Sequence, residues 1–185
     1  MTENNLKKST NSDIRLEIKQ LRNRMDADYA KKLSAIITDR VLSSGIIDGK
    51  MDILIYKSFR NEVHTNELIR RLYEMGKKLA FPVTNGENIV AAIPECDTFS
   101  SDRFGIEIPE KYTVMKNPDL VFVPLIACDP AKNRLGFGKG YFDRYLSTVT
   151  AYKVGLCYDF QVVEHINPEK WDIPLDLIIT ENRII

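Results

Sequence analysis

The chain has 185 residues, of which 44% are hydrophobic and 28% are charged, a composition typical of a globular protein with one sizeable core. Its 26 basic residues balance 26 acidic residues, which argues against a generally cationic nucleic-acid-binding protein. No apolar run approaches the ~20 residues that a membrane helix needs. We therefore expect neither nucleic-acid nor membrane partners. The partners expected instead are small molecules, and the protein is expected to be a monomer.

The N-terminus is polar and lacks the apolar stretch of a signal peptide. Cys96, Cys128 and Cys157 are scattered, without a Cys-x-x-Cys pair, and are predicted to be reduced thiols. Both features predict a cytoplasmic protein. Residues 1–12 are interpreted as a flexible lead and residues 13–185 as a single domain.

Helices and apolar strands alternate in the predicted order of elements. Apolar residues recur at helical spacing over residues 13–42, as one long helix or as two in tandem with Asp26 capping the second. Further helices are predicted at 65–78 and 140–149. Short apolar strands are predicted at 51–56, 79–83, 88–93, 120–127, 153–160 and 175–180. This order favours an α/β layered fold with a largely parallel sheet.

Residues 94–119 carry few signals of regular structure and are predicted to form a long loop. A loop of this length in a compact domain is usually functional.

The segment RLGFGKGYFDRYL, residues 134–146, places three glycines within five residues between a predicted strand and a predicted helix. Glycines let a backbone approach a ligand closely, and a helix N-terminus attracts anions. The spacing is neither a Walker A loop nor the dinucleotide fingerprint. With Arg134 and Lys139, it predicts a site for a phosphate-sized anion; the alternative is a tight turn carrying two solvated cations. Asp143 would either complement the helix dipole or hold a divalent cation such as Mg²⁺.

Residues 134–146 resemble the signature of the 5-formyltetrahydrofolate cyclo-ligases, also called 5,10-methenyltetrahydrofolate synthetases, with Phe142 at a position usually held by tyrosine. Other parts of the chain are also similar to that family: YKSFRNEVHTNELI (56–69), FPV (81–83), VGLCYDFQ (154–161), PEKWDIPLDLIIT (168–180) and IRLEIKQLRNRM (14–25). The resemblance therefore covers most of the chain from Ile14 onwards.

This resemblance implies a three-layer α/β/α sandwich with a largely parallel central sheet. It also implies a ligase that uses ATP and Mg²⁺ to convert 5-formyltetrahydrofolate to 5,10-methenyltetrahydrofolate, releasing ADP and phosphate.

The resemblance implies site residues as well. ATP would contact Arg15 and the run Arg134, Leu135, Gly136, Phe137, Gly138, Lys139, Gly140, Tyr141 and Phe142. The folate would contact Lys57, Glu62, Phe137, Gly138, Lys139, Gly140 and Tyr141. The metal would be held by Asp143 and Asp172, and the predicted catalytic residues are Lys139 and Arg134.

Two departures from the family pattern affect the expected site. The family's N-terminal lysine is Asn11 here, with Lys7 or Lys8 as possible substitutes. The family often has Glu-Pro after Gly-Ile, whereas here Ile108 precedes the proline and the acid stands at Glu107. Whether Glu107 replaces the family acid is left open.

Phosphoryl transfer asks little covalent chemistry of a protein and needs cations, a metal and alignment. Arg134, Lys139, the glycine amides and Asp143 with Mg²⁺ suit that task. Two other classes compete with this interpretation. One is a sugar-phosphate isomerase or acyl transferase on a similar sheet, and the other is a non-enzymatic nucleotide-binding module.

Overall fold

A computed structural model describes residues 10–185 of the chain. The helices in this range are α1 (Asn11–Arg24), α2 (Ala27–Ser43), α3 (Asn66–Glu74) and α4 (Tyr141–Leu146). The strands are β1 (Asp52–Leu54), β2 (Lys78–Asn85), β3 (Asn88–Pro94), β4 (Phe99–Ser101), β5 (Glu107–Pro109), β6 (Tyr112–Met115), β7 (Leu120–Val123), β8 (Ala127–Cys128), β9 (Arg134–Leu135), β10 (Tyr152–Leu156) and β11 (Leu177–Ile179).

Of the two predicted arrangements of the N-terminal helical region, one long helix or two helices in tandem, the structure has the two helices. Thr10 and Asp13 form a capping box at the start of α1. Asp26 caps α2, as predicted, by accepting a hydrogen bond from Tyr29 N at 3.0 Å. Helix α1 begins at Asn11, two residues before the predicted start. Of the predicted flexible lead, residues 1–9 lie outside the described range.

The central sheet has seven strands in the order β11-β10-β7-β1-β2-β3-β6. The first five of these strands are parallel to their neighbours, and β3 and β6 add an antiparallel edge. Two smaller antiparallel pairs, β4–β5 and β8–β9, lie outside it. The predicted mixed α/β fold with a largely parallel sheet is therefore confirmed.

Helices cover both faces of the sheet unequally. On one face, α2 and α3 pack over a core that includes Ile37 and Leu72. On the other face, only the short helix α4 and irregular segments cover a core that includes Tyr145 and Leu175. Helix α1 packs separately, with Ile14 and Ile18 against the segment that carries β8 and β9. This arrangement brings α1 alongside the glycine-rich segment.

Four predicted elements differ most from the structure. The strand predicted over 153–160 ends at Leu156, and a short 3-10 helix follows at Asp159–Gln161. The long loop predicted over residues 94–119 contains β4, β5 and β6. The helix predicted over 140–149 has only six residues. The strand predicted over 120–127 stops at Val123, because Pro124 has no amide hydrogen to donate to a neighbouring strand. Within residues 10–185, no helix is both long and apolar enough to span a membrane.

Candidate active site

Two loops leave neighbouring parallel strands at the same edge of the sheet. Residues 55–65 follow β1, and β7, which pairs with β1, leads through β8 and β9 to the turn at residues 136–140. Ligands of open α/β sheets bind beyond the carboxyl ends of the strands. The candidate site is therefore built between these two loops.

The turn at residues 136–140 presents bare backbone to open space. Gly138 and Gly140 have φ values of 92° and 66°, which L side chains rarely adopt. A Cβ atom built on Gly136 or Gly138 would have no heavy atom within 4 Å. The side chain of Lys139 is exposed, and its Nζ lies 4.6 Å from the centroid of the Phe104 ring. An anion can therefore approach both the backbone and an ammonium group here.

A pocket of about 550 Å³ adjoins this turn. Its lining residues are Gly138, Lys139, Gly140, Asp143, Arg144, Ser147, Trp171 and Ile173. Trp171 is the only tryptophan of the chain, and 68% of it is exposed. A second pocket, of about 310 Å³, includes Gly45 and Tyr152 in its lining and lies where β10 begins, at the amino ends of the parallel strands. Its position disfavours it as the ligand site.

The side chain of Arg134 is buried beneath the turn. Only 3% of its side chain is exposed. Its Nη1 donates to the carbonyl oxygen of Ile173, and its Nη2 donates to Asp143 Oδ1, each at 2.8 Å. The guanidinium thus ties β9, α4 and the segment after Trp171 together. Leu135 is buried against α1, so its side chain faces the core. Phe142 packs against the core beneath α4.

Asp143 and Asp172 are the carboxylates predicted to hold a metal. Asp143 Oδ1 also accepts from Ile173 N at 3.2 Å, and Asp172 Oδ2 accepts from Glu169 N at 2.8 Å. The other oxygen of each carboxylate has no hydrogen-bond partner within residues 10–185. The same range contains no group of three or more His, Cys, Asp or Glu residues placed to bind a metal. Mg²⁺ commonly takes one or two carboxylates and completes its shell with water and phosphate oxygens, so this donor set fits Mg²⁺ brought in with a nucleotide.

Glu62 lies in the loop after β1 and is only 6% exposed. Its Oε2 accepts a hydrogen bond from Phe59 N at 3.0 Å. Burial raises the pKa of the Glu62 carboxyl, and the hydrogen bond from Phe59 and the charge of Arg22 partly offset that rise. A carboxylate held in this way can accept paired N–H donors from a flat heterocycle.

Lys57 lies in the same loop, between aromatic rings and an acid. Its Nζ is 3.6 Å from the centroid of the Phe99 ring and 5.8 Å from that of Phe81. It also forms a 2.8 Å ion pair with Glu107 on β5. Glu107 thus contacts a predicted folate-binding residue, while its neighbour Ile108 is partly buried.

The hairpin formed by β4 and β5 reaches across the site. On its two strands, Phe99 of β4 and Glu107 of β5 contact Lys57. At its tip, Arg103 Nη2 donates to the hydroxyl oxygen of Tyr141 at 3.0 Å. The hairpin therefore contacts both loops of the candidate site.

Helix α1 runs along the opposite side of the turn. Arg15 Nε donates to the carbonyl oxygen of Gly136 at 2.9 Å, and Lys19 Nζ lies 5.4 Å from the centroid of the exposed Phe137 ring. Asn11, at the position of the family lysine, exchanges hydrogen bonds with Asn167. The possible substitutes Lys7 and Lys8 lie outside the described residues.

The description of the family model that matches residues 7–181 is "5-formyltetrahydrofolate cyclo-ligase family". The chain belongs to the 5-formyltetrahydrofolate cyclo-ligase family.

Individual relatives agree with this membership in the cyclo-ligase family. The chain is 30% identical to a 5-formyltetrahydrofolate cyclo-ligase of Haemophilus influenzae over 90% of this chain and 95% of the relative. It is 26% identical to the Escherichia coli K12 protein of the same name, over 90% and 98% of the two chains. The NMR structure of Aquifex aeolicus 5,10-methenyltetrahydrofolate synthetase superposes with a TM-score of 0.84 at 30% identity, covering 94% of this chain and 91% of that one.

Several residues of the candidate site were not predicted from the sequence. Arg103 and Phe104 lie in a segment with few regular signals, so their contacts with the turn were not foreseen. Asp129, 1% exposed, organises the β8–β9 loop by accepting hydrogen bonds from Asn133 and from Ile166 N. The sequence Asp-Pro at 129–130 is a turn signal that was available for this residue.

Proposed function

We propose that the protein converts 5-formyltetrahydrofolate to 5,10-methenyltetrahydrofolate at the expense of ATP, with release of ADP and phosphate. Membership of the cyclo-ligase family supports the reaction. The observation that carries the proposal is the pairing of two unlike loops on neighbouring strands. One offers bare glycine backbone beside Lys139, and the other offers the buried carboxyl group of Glu62.

The chemistry explains why two such loops are needed. A formyl group on nitrogen is amide-like, so its oxygen is a poor leaving group. Transfer of the γ-phosphoryl group of ATP to that oxygen makes the carbon electrophilic and converts the oxygen into a good leaving group. The neighbouring amine of the folate then closes the five-membered ring, and phosphate departs. The protein has to align the two substrates and stabilise charge on the phosphoryl oxygens.

On the nucleotide side, the proposed contacts are the amides of residues 136–140, the ammonium group of Lys139 and the guanidinium of Arg15. Lys139 is proposed as a catalytic residue that stabilises the transferring phosphoryl group. The catalytic role predicted for Arg134 stays a prediction, and its burial favours an action through Asp143 and Ile173. The contacts predicted for Leu135 and Phe142 are proposed through their backbone atoms, because the Leu135 side chain is buried in the core and the Phe142 side chain packs against it.

On the folate side, Glu62 is proposed to accept hydrogen bonds from the pterin edge, with Lys57 beside it. The backbone of residues 137–141 would face the folate from the opposite loop. Glu107 is proposed to fix the ammonium group of Lys57 over the Phe99 ring, which is supported by the 2.8 Å ion pair between the two residues.

Asp143 and Asp172 are the residues proposed to hold Mg²⁺, each through the carboxylate oxygen that accepts no hydrogen bond from the described part of the chain. When bound, the ion would neutralise charge on the phosphate oxygens. Asp143 is held in place for this by Arg134 and by Ile173 N, independently of any ion.

A monomer in the cytoplasm is also part of the proposal. Cys96, Cys128 and Cys157 are free thiols, which supports a reducing compartment.

A coupled experiment tests the reaction. The purified protein is incubated with 5-formyltetrahydrofolate, Mg²⁺ and ATP, while the near-UV absorbance of the methenyl product and the release of phosphate are followed. We expect product and phosphate to form in equal amounts and only with ATP. No product with ATP present would refute the proposed function, and product formed without ATP would refute the phosphorylation step.

A further inference from the structure

Arg22 is a buried cation in the last turn of α1, and only 5% of it is exposed. Arginine is rarely buried without a partner. Arg22 nevertheless has no ion pair within 4.0 Å to any carboxylate of residues 10–185. Its position therefore calls for an explanation other than a simple salt bridge.

Arg22 is tied to the loop that carries Glu62. Its Nε donates to the carbonyl oxygen of Asn61 at 3.0 Å, and Asn61 Nδ2 donates in return to the carbonyl oxygen of Arg22 at 2.8 Å. Because Asn61 directly precedes Glu62, this reciprocal pair fixes the end of α1 to the backbone beside the buried carboxyl group.

The charge of Arg22 acts on a cluster of buried acidic groups. Glu62 and Tyr56 lie in the loop after β1, and Tyr158 lies in the segment after β10, where its hydroxyl donates to the carbonyl oxygen of Glu62 at 3.2 Å. Arg22 lowers the pKa of each of these groups, while burial, the largest influence on all three, raises it. Both phenols stay neutral near pH 7, because the pKa of each is raised from an already high value. Glu62 is thus the group in this cluster that titrates on the acid side.

We propose that Arg22 is a positioning residue for the folate: it anchors the loop of Glu62 through Asn61 and supplies the buried positive charge that keeps this carboxylate ready to accept hydrogen bonds. This inference rests on the proposed function, since it deepens the role given there to Glu62. Arg22 acts through Glu62 and is not assigned a contact with the substrate.

The test measures the dissociation constant of 5-formyltetrahydrofolate by calorimetry as a function of pH, without turnover. The variants are Arg22→Met, Arg22→Lys and Asn61→Ala. Arg24→Met is the matched control, because Arg24 lies in the same helical turn but is exposed. Titration of the ligand is common to all variants, so differences between their profiles report on the protein.

For Arg22→Met we expect about 10-fold or greater weakening of folate binding near neutral pH, the size of effect of a lost charge-assisted interaction. The acid limb of its profile, meaning the loss of folate binding as the pH falls and Glu62 is protonated, should move to higher pH. Arg22→Lys should restore the wild-type position of the acid limb, because it restores the charge. Asn61→Ala should weaken binding while leaving the acid limb in place, and Arg24→Met should match the wild type.

Equal weakening by Arg22→Met and Arg22→Lys, with the acid limb unmoved in both, would mean that Arg22 only stabilises the fold, and would overturn the proposal. Should Arg22→Met not fold, Arg22→Lys and Asn61→Ala still decide. If the low-pH loss of folate binding shifts in either variant, the proposal is wrong, because it assigns that pH dependence to the charge of residue 22 and only the anchoring of the loop to Asn61. Failure of the wild type to bind the folate would refute the proposed function itself, which is a separate outcome.

Discussion

Arg134 Nη2 and Asp143 Oδ1 lie 2.8 Å apart in an ion pair that is almost completely enclosed on the arginine side. This contact holds the start of α4 against β9 directly below the glycine-rich turn. The N-cap of α4 is Gly140, which has no side chain to hydrogen-bond to the first backbone amides of the helix. The shape of the glycine-rich turn therefore depends on a buried pair that lies outside the turn.

The Arg134–Asp143 pair should show strong energetic coupling. Arg134→Met should lower the free energy of unfolding by ~3–5 kcal/mol, because it leaves a carboxylate without its buried partner. Arg134→Met combined with Asp143→Leu should cost less than the sum of the two single changes, with a coupling energy of ~1–3 kcal/mol. Urea denaturation of the four proteins measures this. Strict additivity would contradict the finding that the two groups depend on each other.

Lys139→Ala should weaken ATP binding by roughly 10- to 100-fold, since it removes one charged donor to the phosphates. Trp171 lines the same pocket, so its fluorescence offers a direct titration signal in a chain with one tryptophan. Lys116→Ala is the matched control, because Lys116 is exposed and its neighbours in sequence are not part of the site. Equal ATP affinities for both variants would contradict the role given to Lys139.

Gly136→Ala and Gly138→Ala should differ in stability although neither added methyl group meets an atom within 4 Å. Gly138→Ala should destabilise the protein by ~1 kcal/mol, because alanine at a φ of 92° is strained. Gly136→Ala should leave the free energy of unfolding within ~0.5 kcal/mol of the wild type, yet weaken ATP binding if phosphates approach this backbone. Unchanged ATP affinity in Gly136→Ala would place the phosphates away from residue 136.

Glu62→Gln should raise stability while lowering folate affinity. Burial raises the pKa of Glu62 above its ordinary value of 4.5, so the folded wild type binds this proton more tightly than the unfolded chain. Stability of the wild type is therefore lost as the pH rises from about 4.5 through the raised pKa. The advantage of Glu62→Gln should grow over that window and then level off.

Urea denaturation at a series of pH values measures this difference. Glu67→Gln serves as the comparison, because the hydrogen bond from Arg70 lowers the pKa of Glu67. Glu67→Gln should therefore be less stable than the wild type, whereas Glu62→Gln should be more stable. A stability difference for Glu62→Gln that does not change with pH would show that Glu62 does not titrate as described.

Local signals in the sequence were sufficient for some parts of this fold. Asp26 caps α2 as expected, since a capping acid acts within one helical turn. The glycine-rich segment was recognisable for the same reason, because its backbone conformation is set by Gly138 and Gly140 themselves.

Other parts depend on contacts between residues far apart in the chain. Strands β4 and β5 are three residues each and have mostly polar or half-buried positions, so no alternating pattern marks them. Arg22 sits in a charged amphipathic helix, where arginine is usually solvated; its burial depends on Asn61, 39 residues away. Arg134 was predicted as a phosphate ligand, and nothing local to it indicates that Ile173 and Asp143 occupy its donors.

The β4–β5 hairpin has a consequence for the binding of the two proposed substrates. It is attached by Phe99 and Glu107 to Lys57, and by Arg103 and Phe104 to Tyr141 and Lys139. Because one hairpin contacts both parts of the proposed site, we expect the affinities for nucleotide and folate to be coupled. Saturation with one ligand should then alter the measured affinity for the other by the same factor in both directions.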